Sequence, residues 1–245
     1  MSKPDTERWG VIGGTGLDQL EGLHVDARRT VDTPYGPTSA PLLFGTFGAA
    51  EVVFLARHGG DHSIAPHRIN YRANIWALAQ HVSRVVAVAA VGGIRSAFRP
   101  GSIAIADNLI DYTWGREHTF FDGEDVQHID FTRPYASSVR EALLKAAADA
   151  AVEVHTDGVY GATQGPRLES AAEIDRMERD GCDLVGMTGM PEAALAKELG
   201  LAYACCAVIV NEAAGRGPET ITMEEIGRNL VTGMARVRAI LAALR

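Results

Sequence analysis

Residues 9–17 read WGVIGGTGL, an apolar stretch that ends in a glycine cluster with one threonine inside it. A short apolar run closed by glycines reads as a strand stopping at a turn. Such a turn exposes backbone N–H groups to an anion, and three guests compete for it: a dinucleotide, a nucleoside triphosphate and free phosphate. The dinucleotide fingerprint needs G-x-G-x-x-G and an acidic residue about 20 positions on. Counting from Gly14, the second glycine is Gly16, but the third position is Gln19, and no second strand ending in an acid follows at the right distance. The Gly-Lys-Ser/Thr of the triphosphate loop is missing too. What is left is a strand-end turn offering backbone N–H groups and the Thr15 hydroxyl, which a merely tight turn explains equally well.

Composition narrows the class. The 245 residues are 47% hydrophobic and 22% charged, as in an ordinary globular enzyme. They are read as one domain, 1–245. No apolar run approaches the roughly 20 residues of a membrane span, and MSKPDTERW at the N-terminus lacks the apolar core of a signal peptide, so a cytoplasmic address is expected. The net charge of −8, with no long basic block, argues against nucleic-acid binding. Cys182, Cys205 and Cys206 have no metal-ligand spacing and read as core residues.

Along the chain, β-rich runs at 9–13, 51–57, 84–92, 101–107 and 203–211 alternate with helical patterns at 70–82, 137–151, 169–181 and 191–200. The nearly unbroken apolarity of the strands suits a sheet covered on both faces. Pro191 and Gly200 bracket one helix in the expected order, and apolar positions recurring from Ile226 to Leu244 predict a long amphipathic C-terminal helix. The expected fold is α/β: a single domain with a central mixed, partly parallel sheet flanked by helices.

Other strand ends carry groups that suit an anion. EVVFLARHGG delivers Arg57, a planar fork for phosphate oxygens, and His58, read as a further donor. AAVGGI brings the backbone of Ala89 and Ala90 to paired glycines, and VGMTGMPEA puts Thr188 just before a helix N-terminus. Taken singly, each has an ordinary structural explanation; four such segments together favour a phosphate site.

GGTGL, LARHG, NYRANIWAL, VGGIRSAFRPG, GPRLESAAE and VGMTGMPEAALAKELG, in this order, resemble the purine nucleoside phosphorylase and methylthioadenosine phosphorylase family. The resemblance implies a homotrimer that cleaves the N-glycosidic bond of a purine nucleoside with inorganic phosphate as co-substrate. No metal or organic cofactor is implied. It puts Thr15, Arg57, His58, the backbone at Ala89 and Ala90, and Thr188 on phosphate, and Met187 against the ribose.

Two departures from the methylthioadenosine pattern bear on the base. Asn211-Glu212-Ala213 stands where those enzymes have Asp-x-Asp, and Glu169 stands where they have Ser. A carboxylate at Glu169 accepts from the N1–H of a 6-oxopurine, and the Asn211 amide donates to N7 or O6; adenine reverses that edge. Asn211 and Glu169 are therefore the expected catalytic pair on the base. A helix-dipole role for Glu169 and a turn-capping role for Asn211 are the ordinary alternatives. Met223 aligns with the position that meets the sugar 5′ group, where an apolar, deformable residue suits a methylthio group, with ordinary packing as its alternative. By resemblance His128 reaches a neighbouring subunit's 5′ pocket, and His62 is a further candidate there. A 6-oxopurine with an apolar 5′ pocket makes S-methyl-5′-thioinosine the expected substrate. Methylthioadenosine, or inosine and guanosine, are the alternatives. A dinucleotide-dependent oxidoreductase and a non-catalytic purine sensor are the rivals from other classes.

Overall fold

Strand β1 (Trp9–Gly13) is buried at every position and lies parallel between β4 (Ala50–Ala56) and β5 (Arg84–Gly93). The computed structural model describes residues 8–217 and 221–245. On the other edge of β5, β10 (Ala202–Glu212) runs parallel along nearly its whole length. These four strands are the apolar runs of the sequence, and their side chains fill the core: Val85 to Val88 and Ala204 to Ile209 are almost wholly inaccessible. Helices α2 (Ser137–Asp149) and α5 (Met223–Ala242) cover β10, and α1 (Tyr71–Ala79) packs on α4 (Gly189–Glu198).

Both wings of the sheet go beyond the periodicity. β2 (His24–Arg29, HVDARR) is exposed along its length and pairs antiparallel with β3 (Leu42–Phe47), which pairs antiparallel with β4. Charged residues on both faces suit an edge strand and erase the apolar alternation by which a strand is read. At the other wing, β6 (Ile103–Ile105) is antiparallel to β10, while β7 (Asn108–Asp111), β8 (Val159–Ala162) and β9 (Leu184–Gly186) form a parallel ladder. These strands are only three or four residues long. The described residues thus make a ten-stranded mixed sheet.

Local signals set the helix ends. Asn70 caps α1 by accepting from the Ala73 N–H. α3 (Ala171–Asp180) opens with a reciprocal capping box between Ser170 and Glu173 and closes on Gly181 in the left-handed region, φ 99°. α4 becomes regular at Pro191, because Met190 is extended (φ −122°, ψ 142°), and Gly200 follows its end with φ 66°. α5 starts three residues before Ile226, at Met223, with Thr222 capping the Glu225 N–H. No helix among the described residues is long and apolar enough to cross a membrane. The three cysteines are buried and unpaired.

One irregularity of the sheet positions the site. β1 accompanies β5 only over Arg84–Ala87, and on that side the next partner, β9, meets β5 antiparallel at Gly92 and Gly93. Between them, Val88–Val91 presents an edge without a ladder partner among the described residues. A crevice opens there, past the carboxyl end of β1, where ligands of open α/β sheets bind.

Candidate active site

The crevice holds a cavity of about 160 Å³ bordered by Gly14, Thr15, Arg57, His58, Ala89, Ala90, Glu169, Met187, Thr188, Asn211 and Ala213, together with Ile221 and Ile226. At its floor Arg57, only 1% exposed, is clamped by Glu192, equally buried, from the first turn of α4. Arg57 Nε donates to Glu192 Oε2 at 2.7 Å, and Nη2 donates to Oε1 at 2.8 Å. Nη1 donates to the Val88 carbonyl at 2.9 Å, on the open edge of β5. Tyr203 Oη donates to Glu192 Oε1 at 2.8 Å and completes the carboxylate's shell. A guanidinium has five N–H groups, so three are occupied in positioning the fork and two remain for an anion in the cavity. Burial opposes the charge on Arg57, but the Glu192 carboxylate overrides it and holds the guanidinium protonated. Gly14 leaves this arrangement its room: a Cβ there would sit 2.6 Å from the Val88 carbonyl oxygen and 2.9 Å from Arg57 Nη1.

Thr188 is buried, and its N–H donates to Tyr160 Oη at 3.3 Å; its hydroxyl makes no capping bond to α4. Thr15 sits on the turn after β1, where Leu17 N–H closes on the Gly14 carbonyl. Val88 aims its carbonyl into the crevice, and strand alternation aims the backbone groups of Ala90, two residues on, the same way.

His58 corrects one expectation. Its Nδ1 lies 2.8 Å from the Ile64 carbonyl oxygen, which can only accept, so Nδ1 carries the ring proton. Burial, with the Arg57 charge beside it, pushes the imidazole down to about 4. The neutral ring therefore offers Nε2 as an acceptor, suited to a phosphate or sugar hydroxyl, instead of the second donor expected. His62 packs its ring 4.6 Å from that of His58, takes Asp18 at 2.7 Å on Nδ1, and brings Nε2 to 3.5 Å from Thr15 Oγ1. It stands at the rim, outside the cavity lining.

Elsewhere on the lining, Thr163 Oγ1 donates to Glu169 Oε1 at 2.7 Å, which leaves Oε2 of the carboxylate to accept from a ligand. Asn211, 8% exposed, uses one amide N–H on the Glu212 carbonyl at 2.7 Å and keeps a second. Past the register shift between Ile209 and Asn211 at the end of β10, Asn211 and Ala213 border the cavity, whereas Glu212 lies outside it, against Gly217. Glu212 is thus outside the lining, contrary to its expected place on the substrate.

Met223 likewise does not border the cavity of its own chain. It is the first residue of α5 and is 76% exposed. Ile221 and Ile226 line the cavity instead; flanking the Thr222 cap, they occupy the two positions of a hydrophobic staple. ITMEEI carries that signal openly, with the capping threonine between the isoleucines. His128 lies exposed on the irregular segment between β7 and α2, away from its own chain's cavity. Glu192 and Tyr203 had no local signal. The physical hint was Arg57 itself, since a guanidinium ending a buried strand demands a carboxylate.

Comparison with known proteins agrees with this geometry. The Phosphorylase superfamily matches residues 8–244. The "Probable S-methyl-5'-thioinosine phosphorylase" of Pseudomonas syringae pv. tomato is 53% identical over 237 residues, covering 96% of each chain. The "6-oxopurine nucleoside phosphorylase" of Pyrococcus furiosus is 44% identical over 227 residues, covering 89% of this chain and 84% of its own. A crystal structure of methylthioadenosine phosphorylase from Schistosoma mansoni in complex with adenine superposes with a TM-score of 0.92 at 30% identity, covering 96% of this chain and 90% of the other. The chain therefore belongs to the Phosphorylase superfamily and, within it, to the nucleoside phosphorylases.

Proposed function

We propose that this enzyme cleaves S-methyl-5′-thioinosine with inorganic phosphate, releasing hypoxanthine and 5-methylthioribose 1-phosphate. One observation carries the reading. A carboxylate with a free oxygen (Glu169) and an amide with a free N–H (Asn211) border the same cavity as Thr15, Arg57 and Thr188, with Ile221 and Ile226 as its apolar wall. The names of the relatives at 53–54% identity support it.

Bond cleavage at C1′ builds positive charge on the sugar and negative charge on the departing base. Phosphate held by the two remaining Arg57 N–H groups, the Thr15 and Thr188 hydroxyls and the Ala89–Ala90 backbone faces C1′ as the nucleophile. His58 Nε2 accepts the phosphate's own hydroxyl. Asn211 donates to N7 or O6 as charge develops there, and Glu169 Oε2 accepts from N1–H. Met187 supports the ribose. Holding the two substrates in line can remove on the order of 7–11 kcal/mol of barrier. No cofactor is needed, since phosphate supplies the nucleophile. The enzyme is proposed to work in the cytoplasm as a homotrimer in which His128 reaches a neighbour's 5′ pocket. Light scattering on the purified chain tests the trimer.

The substrate is tested with a panel of methylthioinosine, methylthioadenosine, inosine and guanosine, with and without phosphate. Methylthioinosine is expected to be the best substrate, with an absolute phosphate requirement. Two mismatched groups on adenine cost about 1–3 kcal/mol each, roughly a hundredfold in kcat/KM. Comparable turnover of methylthioadenosine refutes the assignment of the base, and inosine as the best substrate refutes that of the 5′ group. Asn211→Asp is expected to raise activity on the 6-amino substrate while Glu169 limits the gain. A second reading, phosphorolysis of inosine and guanosine, has support in the 6-oxopurine relatives.

A further inference from the structure

Arg116 stands in the irregular segment after β7, the one that also carries the exposed His128, yet it is only 8% exposed. Among the described residues no carboxylate pairs with it. Its donors go instead to three parts of the site's frame. Nη1 donates to the Met187 carbonyl at 2.9 Å and the Met190 carbonyl at 2.6 Å, on the stretch that carries Thr188. Nη2 donates to the carbonyls of Thr163 (3.2 Å) and Gln164 (2.8 Å), and Nε to Gln164 Oε1 at 3.1 Å. This second stretch carries the Thr163 hydroxyl that holds Glu169. Nη1 also reaches Tyr71 Oη at 3.3 Å, whose own hydrogen goes to the carbonyl of Pro66 on the cavity wall.

We infer that Arg116 is a positioning residue that holds the phosphate-side stretch Met187–Met190 and the base-side stretch Thr163–Glu169 in one register. The geometry asks for a guanidinium. Its planar fork serves acceptors on both stretches at once, whereas a lysine ammonium has three donors at a single point. The two stretches meet where β8 pairs with β9, with Thr163 N–H donating to the Gly186 carbonyl at 2.8 Å; beyond that ladder Arg116 adds a bridge from one guanidinium to oxygens on both stretches. A loss of register of about 1 Å between phosphate and nucleoside costs on the order of a hundredfold in rate.

The inference rests on the phosphorylase reading for its kinetic half only. The experiment compares Arg116→Lys with Arg140→Lys in the full chain. Arg140 also ties three backbone carbonyls, those of Ile105, Ala106 and Thr156, which do not border the cavity. Arg116→Lys is expected to raise the KM of nucleoside and of phosphate together, by about tenfold or more, and to lower kcat. It is also expected to speed hydrogen–deuterium exchange in both stretches, while Arg140→Lys leaves both KM values within about twofold at a comparable Tm loss. Exchange unchanged in either stretch overturns the inference, as do unchanged KM values or an equal effect from Arg140→Lys. If the wild-type chain turns over no nucleoside of the panel, the phosphorylase reading fails and exchange alone decides the role of Arg116. Should Arg116→Lys not fold, Gln164→Ala, which removes the side-chain oxygen shared by Arg116 Nε and the Trp114 N–H, must produce the same pattern more weakly.

Discussion

His58 illustrates how one hydrogen bond fixes a chemical role. Because the Ile64 carbonyl takes Nδ1–H, the tautomer is set, and burial beside Arg57 lowers the imidazole from its ordinary 6.5 to about 4. Unfolded, the ring binds a proton below about 6.5; folded, it resists until about 4. The unfolded state therefore binds more protons in that window, and the stability from the neutral ring, complete above 6.5, is lost as pH falls toward 4. Replacement of His58 by Gln is expected to flatten the fall of Tm between pH 6.5 and 5, a range above most carboxylate titrations. An identical slope in wild type and variant would sink the assignment of a neutral His58.

At the scale of elements, most of the fold was legible because its signals are local. The apolar runs of β1, β4, β5 and β10, and the Pro191 and Gly200 punctuation, all state their structure within a few residues. β2 and the short strands β7 to β9 were not legible, since their pairing is decided by distant partners and not by their own three to six residues. The site divides the same way. Thr15, Arg57, Thr188, Glu169 and Asn211 stand at strand ends and meet at one cavity, whereas Glu192 and Arg116 act through contacts that span the chain. Met223 lies outside the lining for a geometric reason: each helical residue turns about 100° from the last, so neighbouring positions exchange a pocket face for a solvent face. Ile226→Ser is therefore expected to raise the KM of methylthioinosine about tenfold, in keeping with the burial of part of an isoleucine, with little change for inosine. Met223→Ser leaves both within about twofold, as for an exposed site. The reverse ranking would return the 5′ wall to Met223.

For the whole molecule, the decisive property is that the groups proposed to hold phosphate come from elements far apart in sequence: Thr15 after β1, Arg57 after β4, the β5 edge, and Thr188 before α4, with Glu192 of α4 clamping Arg57. The unfolded chain has no such constellation, so the free energy of phosphate binding adds to the stability of the fold. Phosphate at a hundred times its Kd contributes about 2.7 kcal/mol, and a chain of this size gains roughly 2–4 °C per kcal/mol. Sodium phosphate is thus expected to raise Tm by roughly 5–10 °C over sodium chloride of equal ionic strength. Glu192→Gln removes the charge that pairs with a buried guanidinium, a change that costs on the order of 3 kcal/mol, and it also frees the fork that points Arg57 at the anion. The variant is expected to melt lower and to lose most of the phosphate shift, because positioning and stability run through the same carboxylate. A variant that melts lower yet keeps the full phosphate shift would separate the two and leave Glu192 with a role in folding alone.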